Sequence, residues 1–315
     1  MLDLLYCKLA RARRRYYERR IHLRRRLTSP VISIGNLTVG GSGKTPLAAE
    51  IARMLLDMGE RPAILSRGYA RRTPVDGVTV VSDGKRIQSD VDRSGDEPLM
   101  LARMVPNAAV LVSTSRYFAG RIAESQFACT VHILDDGFQH FDLMRDIDLL
   151  VAPETLEDVR TLPAGRFREP LDAASSADAL LVEGAPALLV ERLKVPVAFE
   201  FSRRLAGPGA DRPAFAFAGI ARPERFYFDL ETAGWQLTGR RSFPDHHHYS
   251  PRDVEDITRE ARESGAQVIL TTEKDTVRLT GYGGALSILA IPQEISIESR
   301  FRTWLVERLR NIRAA

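Results

Sequence analysis

Cysteine is nearly absent from this chain. The 315 residues hold two, Cys7 and Cys129, far apart and without paired spacing. That excludes a disulfide scaffold and any cysteine-based zinc or iron–sulfur site, and suits a reducing cytoplasm. Long apolar runs are missing too. Only Leu2, Leu4 and Leu5 precede the first cluster of charges, and the longest later stretches are broken by Asp178 or Glu183. Neither a signal peptide nor a membrane span is expected. With 44% apolar and 27% charged residues, the composition is that of a soluble globular protein. At roughly 150 residues per domain, the length suggests about two domains.

The net charge of +4 conceals an uneven distribution. Residues 1–27 carry ten bases against Asp3 and Glu18, a charge of +8, which leaves the remainder at −4. Leu2, Leu5, Leu9, Ala12, Tyr16 and Leu23 recur at helical steps, and arginines fill the other positions. The spacing predicts a basic amphipathic helix. Such a helix can lie in an anionic membrane interface, or it can pack its leucines on the protein body and leave solvated arginines outside. Charge alone also permits a nucleic-acid partner. No aromatic-rich strand or base-reading motif accompanies it, so no nucleic-acid partner is expected.

Val31–Ile34 reads as a buried strand, followed by GNLTVGGSGKTP and an apolar-periodic helix through Ala48, Ile51, Ala52 and Leu55. Strand, glycine loop and helix form the phosphate-binding order. Backbone N–H groups converge on phosphates, a lysine reaches the β/γ-phosphates and a hydroxyl binds Mg²⁺. Gly40, Gly41, Ser42, Gly43, Lys44 and Thr45 occupy those places, and Thr38 stands where the strict pattern has glycine. Strand signals recur at 63–65, 78–81, 109–112, 131–134, 147–151 and 179–182, with helical stretches at 97–105 and 116–126. The pattern predicts an α/β fold, a mainly parallel sheet flanked by helices with ligands at the strands' carboxyl ends.

Candidate residues follow the strands. Asp135 and Asp136 directly succeed an apolar run, where a nucleotide triphosphatase keeps the acid that helps hold Mg²⁺. Arg67 leaves the strand at 63–65 and can meet phosphate or solvent. Asp96, in Gly-Asp-Glu-Pro, can cap a helix N-terminus or accept the proton of a phosphoryl acceptor. Three consecutive histidines, His246–His248, do not share a face in regular structure, which argues against one shared metal ion.

The stretches GNLTVGGSGKTP, LSRGY, GDEP, LDDGFQH, LPAGRFREP, FPDHH and TEKD, spread over residues 35–275, together resemble the tetraacyldisaccharide 4′-kinases of lipid A biosynthesis. Their phosphate loop is similar in opening on T-x-G-G, which accommodates Thr38. The resemblance implies an ATP- and Mg²⁺-dependent kinase at the cytoplasmic face of the inner membrane, peripheral and held there by the arm at residues 1–27. Its substrate would be a tetraacylated glucosamine disaccharide 1-phosphate, phosphorylated on the 4′-hydroxyl. Residue by residue, it implies Lys44 and Thr45 on phosphate and metal, with Asp135, Asp136 and Gln139 near the metal. It implies Asp96 as base, oriented by His246, with Glu97, Arg67, Arg116, Arg168 and Glu169 as active-site neighbours. The core GGSGKT is also similar to the P-loop of membrane-associated partitioning ATPases, but that class wants a lysine where Val39 stands.

After residue 205 the turn-rich GPGADRP suggests a linker. The expected division is an arm at 1–27, a kinase domain at 28–205 and a smaller α/β domain at 206–315. Within the last, strands are expected at 214–218, 268–270 and 287–290, and helices at 223–233 and 298–313. Another helix opens at Ser250 with a serine cap and Pro251, and closes at Gly265.

Overall fold

The computed structural model describes residues 2–40, 43–69, 71–153, 155–184, 187–207, 212–279 and 286–314. The strands are β1 (Val31–Asn36), β2 (Pro62–Ser66), β3 (Thr79–Asp83), β4 (Ala109–Val112), β5 (Val131–Asp135), β6 (Ile147–Val151), β7 (Ala179–Glu183), β8 (Ala198–Leu205), β9 (Ala214–Ala218), β10 (Leu237–Ser242), β11 (Val268–Thr272), β12 (Ile288–Ile291) and β13 (Gln293–Ile297). The helices are α1 (Leu2–Arg19), α2 (Lys44–Asp57), α3 (Val91–Ser94), α4 (Asp96–Met104), α5 (Arg116–Phe127), α6 (Ala187–Leu193), α7 (Pro223–Thr232), α8 (Pro251–Glu263), α9 (Glu273–Thr276) and α10 (Ser299–Ala314).

Nine strands form one sheet in the order β13-β8-β7-β6-β1-β5-β2-β4-β3. Its interior pairs are parallel, and only the edge strands β3 and β13 run antiparallel. All six residues of β1 are buried, as a central parallel strand covered on both faces requires. Helix α2 covers one face through Leu47, Ile51 and Leu55, four residues apart and fully buried. Each such leucine or isoleucine contributes about 1.5–3 kcal/mol by leaving water. A second sheet, β10-β9-β11-β12, is parallel throughout. Helix α8 opens with the expected serine cap, extended to a full capping box between Ser250 and Asp253. Residues 208–211, within the expected linker, lie outside the described residues.

Two boundaries differ from the sequence division. Strand β13 pairs with β8, and Phe301, Leu305 and Leu309 of α10 join the core of the large sheet. The last stretch of the expected second domain therefore belongs to the first. Helix α10 is held at its end by Arg313, whose guanidinium donates to both Glu60 oxygens at 2.7 and 2.8 Å. At the other terminus, the arm is shorter than 27 residues. Helix α1 ends at Arg19, Arg25 already bridges to Leu143, and Leu27 is buried.

The arm's leucines face outward. Leu2, Leu4, Leu5 and Leu9 are 55–70% exposed, and the one buried residue of α1 is Arg14. The reading in which the leucines pack on the body is thereby set aside. No helix among the described residues is long and apolar enough to cross a membrane.

Candidate active site

Strand register explains how distant motifs meet. Strands β6 and β5 flank β1, and Ile34 pairs with Asp135, so the chain leaving β1 toward the phosphate loop runs beside the paired acids. Next to β5 lies β2, whose exit carries Arg67, and then β4, followed by Arg116 at the start of α5. All of these stand at carboxyl ends of parallel strands, where such sheets bind ligands.

Gly43 caps α2 in the left-handed region (φ +69°), and a Cβ there would run into the Arg203 guanidinium. Glycine thus opens the helix and lets an arginine of β8 approach the loop. Gly41 and Ser42 lie outside the described residues. Lys44 donates to Asn36 Oδ1 at 2.9 Å and pairs with Asp136 Oδ1 at 3.2 Å. Arg168 meets the other Asp136 oxygen at 2.7 Å. Burial works against the Asp136 charge, but Lys44 and Arg168 hold its carboxyl below the usual carboxylate range. Asp135 behaves in the opposite way. Burial first, then the negative charges of Glu97 and Asp136, push it up to about 7. Its Oδ1 is buried without a hydrogen-bond partner, as is Gln139 Oε1. An orphaned carboxylate and an orphaned amide oxygen fit a hard cation. No cluster of three or more His, Cys, Asp or Glu is gathered for a metal among the described residues, and a Mg²⁺ shared with phosphates needs only one or two carboxylates.

This arrangement makes a testable statement about stability. A carboxyl raised in the folded state stabilises below its ordinary value near 3.8 and loses that contribution as pH rises through about 7. Asp135→Asn is therefore expected to raise the melting temperature of the nucleotide-free protein at pH 8 by about 2 °C or more. The gain should shrink at pH 5 and phosphoryl transfer should be lost. Melting curves at the two pH values check it; a lower melting temperature at pH 8 would count against the buried-charge account.

The other side of the cleft comes from both sheets. Gly95 (φ +84°) leaves no Cβ against the Tyr69 carbonyl, so α4 starts there and places Asp96, 4% exposed, in the wall. His246 Nδ1 lies 3.0 Å from Asp96 Oδ2. Arg278 also pairs with that oxygen, and Lys274 Nζ stands 3.2 Å from His246 Nε2 and 3.0 Å from Asp245. His246 Nδ1 also stands 3.2 Å from Arg278 Nη2, so each ring nitrogen faces a cationic donor, a setting that favours the neutral imidazole. Burial, with the Lys274 charge next in size, keeps His246 below its ordinary value. His246 (φ +63°) and Asp136 (φ +52°) both hold a left-handed backbone, a strain that clusters at functional sites.

Asp275 ties this corner together. It accepts from Gly219 N–H at 3.2 and 3.1 Å, Tyr249 Oη at 2.9 Å and Thr272 Oγ1 at 2.6 Å, joining the ends of β9 and β11 to the histidine loop. Lys274, Asp275 and Arg278 had no role assigned from sequence. The signal was there in TEKD, a charged run directly after an apolar strand.

One cleft of ≈ 1270 Å³ unites these groups. Gly40, Gly43, Lys44, Thr45, Arg67, Glu97, Arg116, Asp135, Asp136, Gln139, Arg168, Glu169 and His246 line it, and Asp96, 4% exposed, touches it through His246. Thr38 does not line it; it receives Asn36 Nδ2 at 3.1 Å and bridges to Phe167. Arg116 is 4% exposed, and burial, then Arg67, brings it down to about 10. His140, which sequence reading left without a role, also lines the cleft. Burial, followed by Arg116, pulls it down to about 4.

A family model for tetraacyldisaccharide-1-P 4′-kinase matches residues 1–310. The chain belongs to this family. The tetraacyldisaccharide 4′-kinase of Pelobacter propionicus is 40% identical over 297 residues, covering 89% of this chain and 82% of its own. That of Desulfotalea psychrophila is 36% identical over 323 residues, covering 95% and 92%. The solved structure of LpxK from Aquifex aeolicus in complex with ATP is 31% identical, with a TM-score of 0.81 over 98% of this chain and 97% of that one. The family is the one that the seven sequence motifs implied, and the α/β fold the one that the alternation of strand and helix signals predicted. The match to the tetraacyldisaccharide 4′-kinase model spans the arm and both sheets.

Proposed function

We propose that the chain transfers the γ-phosphoryl group of ATP to the 4′-hydroxyl of a tetraacylated glucosamine disaccharide 1-phosphate, giving the bisphosphorylated lipid A precursor. The observation that carries this reading is the Asp96–His246 pair, 3.0 Å apart, set in the wall of the same cleft that holds Lys44 and Thr45. The backbone around Gly40 and Gly43, with Lys44, binds and orients the phosphates. Thr45, Asp135 and Gln139 would hold a Mg²⁺, which supplies charge neutralisation on the phosphate oxygens. Arg116 and Arg67 add fixed positive charge where the phosphoryl group develops negative charge. The 4′-oxygen forms a bond to the γ-phosphorus as the bond to the β-phosphate oxygen breaks. Its proton passes to the Asp96–His246 unit, with Asp96 as acceptor and His246 orienting it, and ADP leaves. Arg168 holds Asp136, and Asp136 in turn keeps Lys44 aimed at the phosphate.

Purified protein in detergent, with labelled ATP, Mg²⁺ and the disaccharide 1-phosphate, should yield a bisphosphorylated lipid. A well-folded sample that transfers nothing overturns the reading.

The same reading places the protein peripherally on an anionic membrane surface, at the cytoplasmic face of the inner membrane. Support comes from the outward leucines of α1, the +8 charge of residues 1–27, and a cleft whose rim includes Tyr6, Leu9 and Ala10. An acylated substrate would enter along this rim. Bases near such a surface contribute up to about 1 kcal/mol each, and apolar insertion adds to that. Replacing Leu2, Leu5 and Leu9 together by serine should weaken binding to anionic vesicles with every arginine retained. Cosedimentation at physiological salt checks this; undiminished binding, or a preference of the intact protein for RNA or DNA, would remove the membrane reading.

A further inference from the structure

The inward face of α1 is built around a charge. Arg14 is 8% exposed, its Nε donates to Glu169 Oε1 at 3.0 Å and its Nη2 to Oε2 at 2.7 Å. Nη1 donates to Ser176 Oγ at 2.7 Å, and the guanidinium lies 4.7 and 4.9 Å from the ring centres of Phe138 and Phe141. Attachment to a surface does not call for this. Desolvating an ion pair is costly, and an adhesive or solubilising arginine stays in water. The partner, Glu169, is itself 3% exposed and leads into the site. Its Oε2 accepts from Gln139 Nε2 at 3.2 Å, and the same amide nitrogen donates to the Asn36 carbonyl at 3.0 Å. Both amide hydrogens are thereby engaged, which fixes the amide so that Oε1, buried and unpartnered, is the atom left for the cleft. Asn36 continues the chain, because its Oδ1 accepts from Lys44 Nζ at 2.9 Å.

We propose that Arg14 is a positioning residue of the transfer site. It acts through Glu169 on Gln139 and the Asn36–Lys44 pair, which makes the arm a structural part of the phosphate-binding end as well as an attachment device. The proposal rests on the kinase reading for what that end does. The physical step is simple. A bidentate guanidinium holds the buried carboxylate in one orientation, and that carboxylate holds the amide. Lysine at position 14 would keep the charge but lose the fork and the stacking on the two phenylalanines.

The test compares Arg14→Ala, Arg14→Lys and a Leu2/Leu4/Leu5→Ser triple variant, whose three exposed side chains lie off the cleft, in the intact protein, each checked by thermal melting. Arg14→Ala should lower kcat by about 10–100-fold, the range for residues that orient the groups around a metal. Lipid KM and cosedimentation with phosphatidylcholine–phosphatidylglycerol vesicles should stay near the parent values. Arg14→Lys should recover only part, and added methylguanidinium should restore activity to Arg14→Ala. The leucine variant should show the converse, weakened vesicle binding with kcat retained on detergent-dispersed substrate. On a Glu169→Gln background, Arg14→Ala should cost little more. Unchanged kcat, no chemical rescue, or an undiminished loss on that background each overturn the proposal. If Arg14→Ala does not fold, Arg14→Lys decides it by the same kcat-against-KM split. Should the parent transfer no phosphoryl group to lipid, the kinase reading fails separately. Arg14 is then judged by affinity for a fluorescent ATP analogue with Mg²⁺, which Arg14→Lys should weaken and which would overturn the proposal if unchanged.

Discussion

Lys44→Ala is expected to lower turnover by about 10²–10³-fold with the fold intact, the usual loss when one preorganised group facing developing charge is removed. Lys44 is suited to that role by its surroundings. Its side chain is 11% exposed and is fixed between Asn36 Oδ1 and Asp136 Oδ1, so little motion is needed when a phosphate arrives. In a site shielded from water, a fixed charge acts more strongly than a solvated one. The variant also leaves Asp136 paired with Arg168 but without the Lys44 charge, so the Asp136 carboxyl should titrate higher than in the parent. Lys44→Arg should not restore the rate, because a planar fork cannot replace a compact ammonium beside Asn36. Thr45→Ala, which removes the hydroxyl beside it, is expected to fall in the same range. Single-turnover transfer from labelled ATP, read beside thermal melting, measures both. Near-normal turnover in Lys44→Ala would reject the phosphate-loop assignment.

The second large effect is expected at the Asp96–His246 pair. Asp96→Ala and His246→Ala should each lower kcat by about 10²–10⁴-fold, the range for a lost acid–base group, with KM for ATP little changed. If the two act as one unit, the double variant loses little beyond the worse single one. Fully multiplicative losses would mean separate roles and return Asp96 to helix capping. Asp96→Ala also removes a partner of Arg278, whose side chain is 1% exposed, so Asp96→Asn should accompany it as the less disruptive variant. The pH profile adds an independent readout. His246 is held below its ordinary value of 6.5, so it is protonated, and the neutral ring that orients Asp96 between Lys274 and Arg278 is lost, only as pH falls below that value. The acid limb of kcat should therefore lie below pH 6.5. Lys274→Met removes a repelling charge at 3.2 Å from Nε2, and the limb should move upward. A limb that stays in place would separate Lys274 from the dyad.

The candidate residues were legible where the signal is written in short stretches. Val31–Ile34 followed by a glycine loop specifies a buried strand, a tight turn and a helix start, because side-chain periodicity and glycine torsions act within a few residues. The same holds for Asp135 and Asp136 after an apolar strand, and for the serine cap of α8. Relationships between distant segments were less accessible. Lys274 and Arg278 reach His246 and Asp96 only because β9 and β11 end side by side, a pairing with no local signature. Strand β13 and α10 return to the large sheet because Phe301, Leu305 and Leu309 find their apolar partners there. Nor does helical spacing state which face turns inward. It showed that α1 has a leucine stripe, but packing around Phe138, Phe141 and Glu169 turned Arg14 inward and the leucines out. By itself, then, the sequence determined the family, the α/β class and the groups available for phosphoryl transfer, since these depend on local torsion, periodicity and residue chemistry. The tertiary structure decided how the arm faces, where the chain's end belongs and which charges surround the dyad. Those depend on burial and ion pairing between segments as many as 253 residues apart, as Glu60 and Arg313 are.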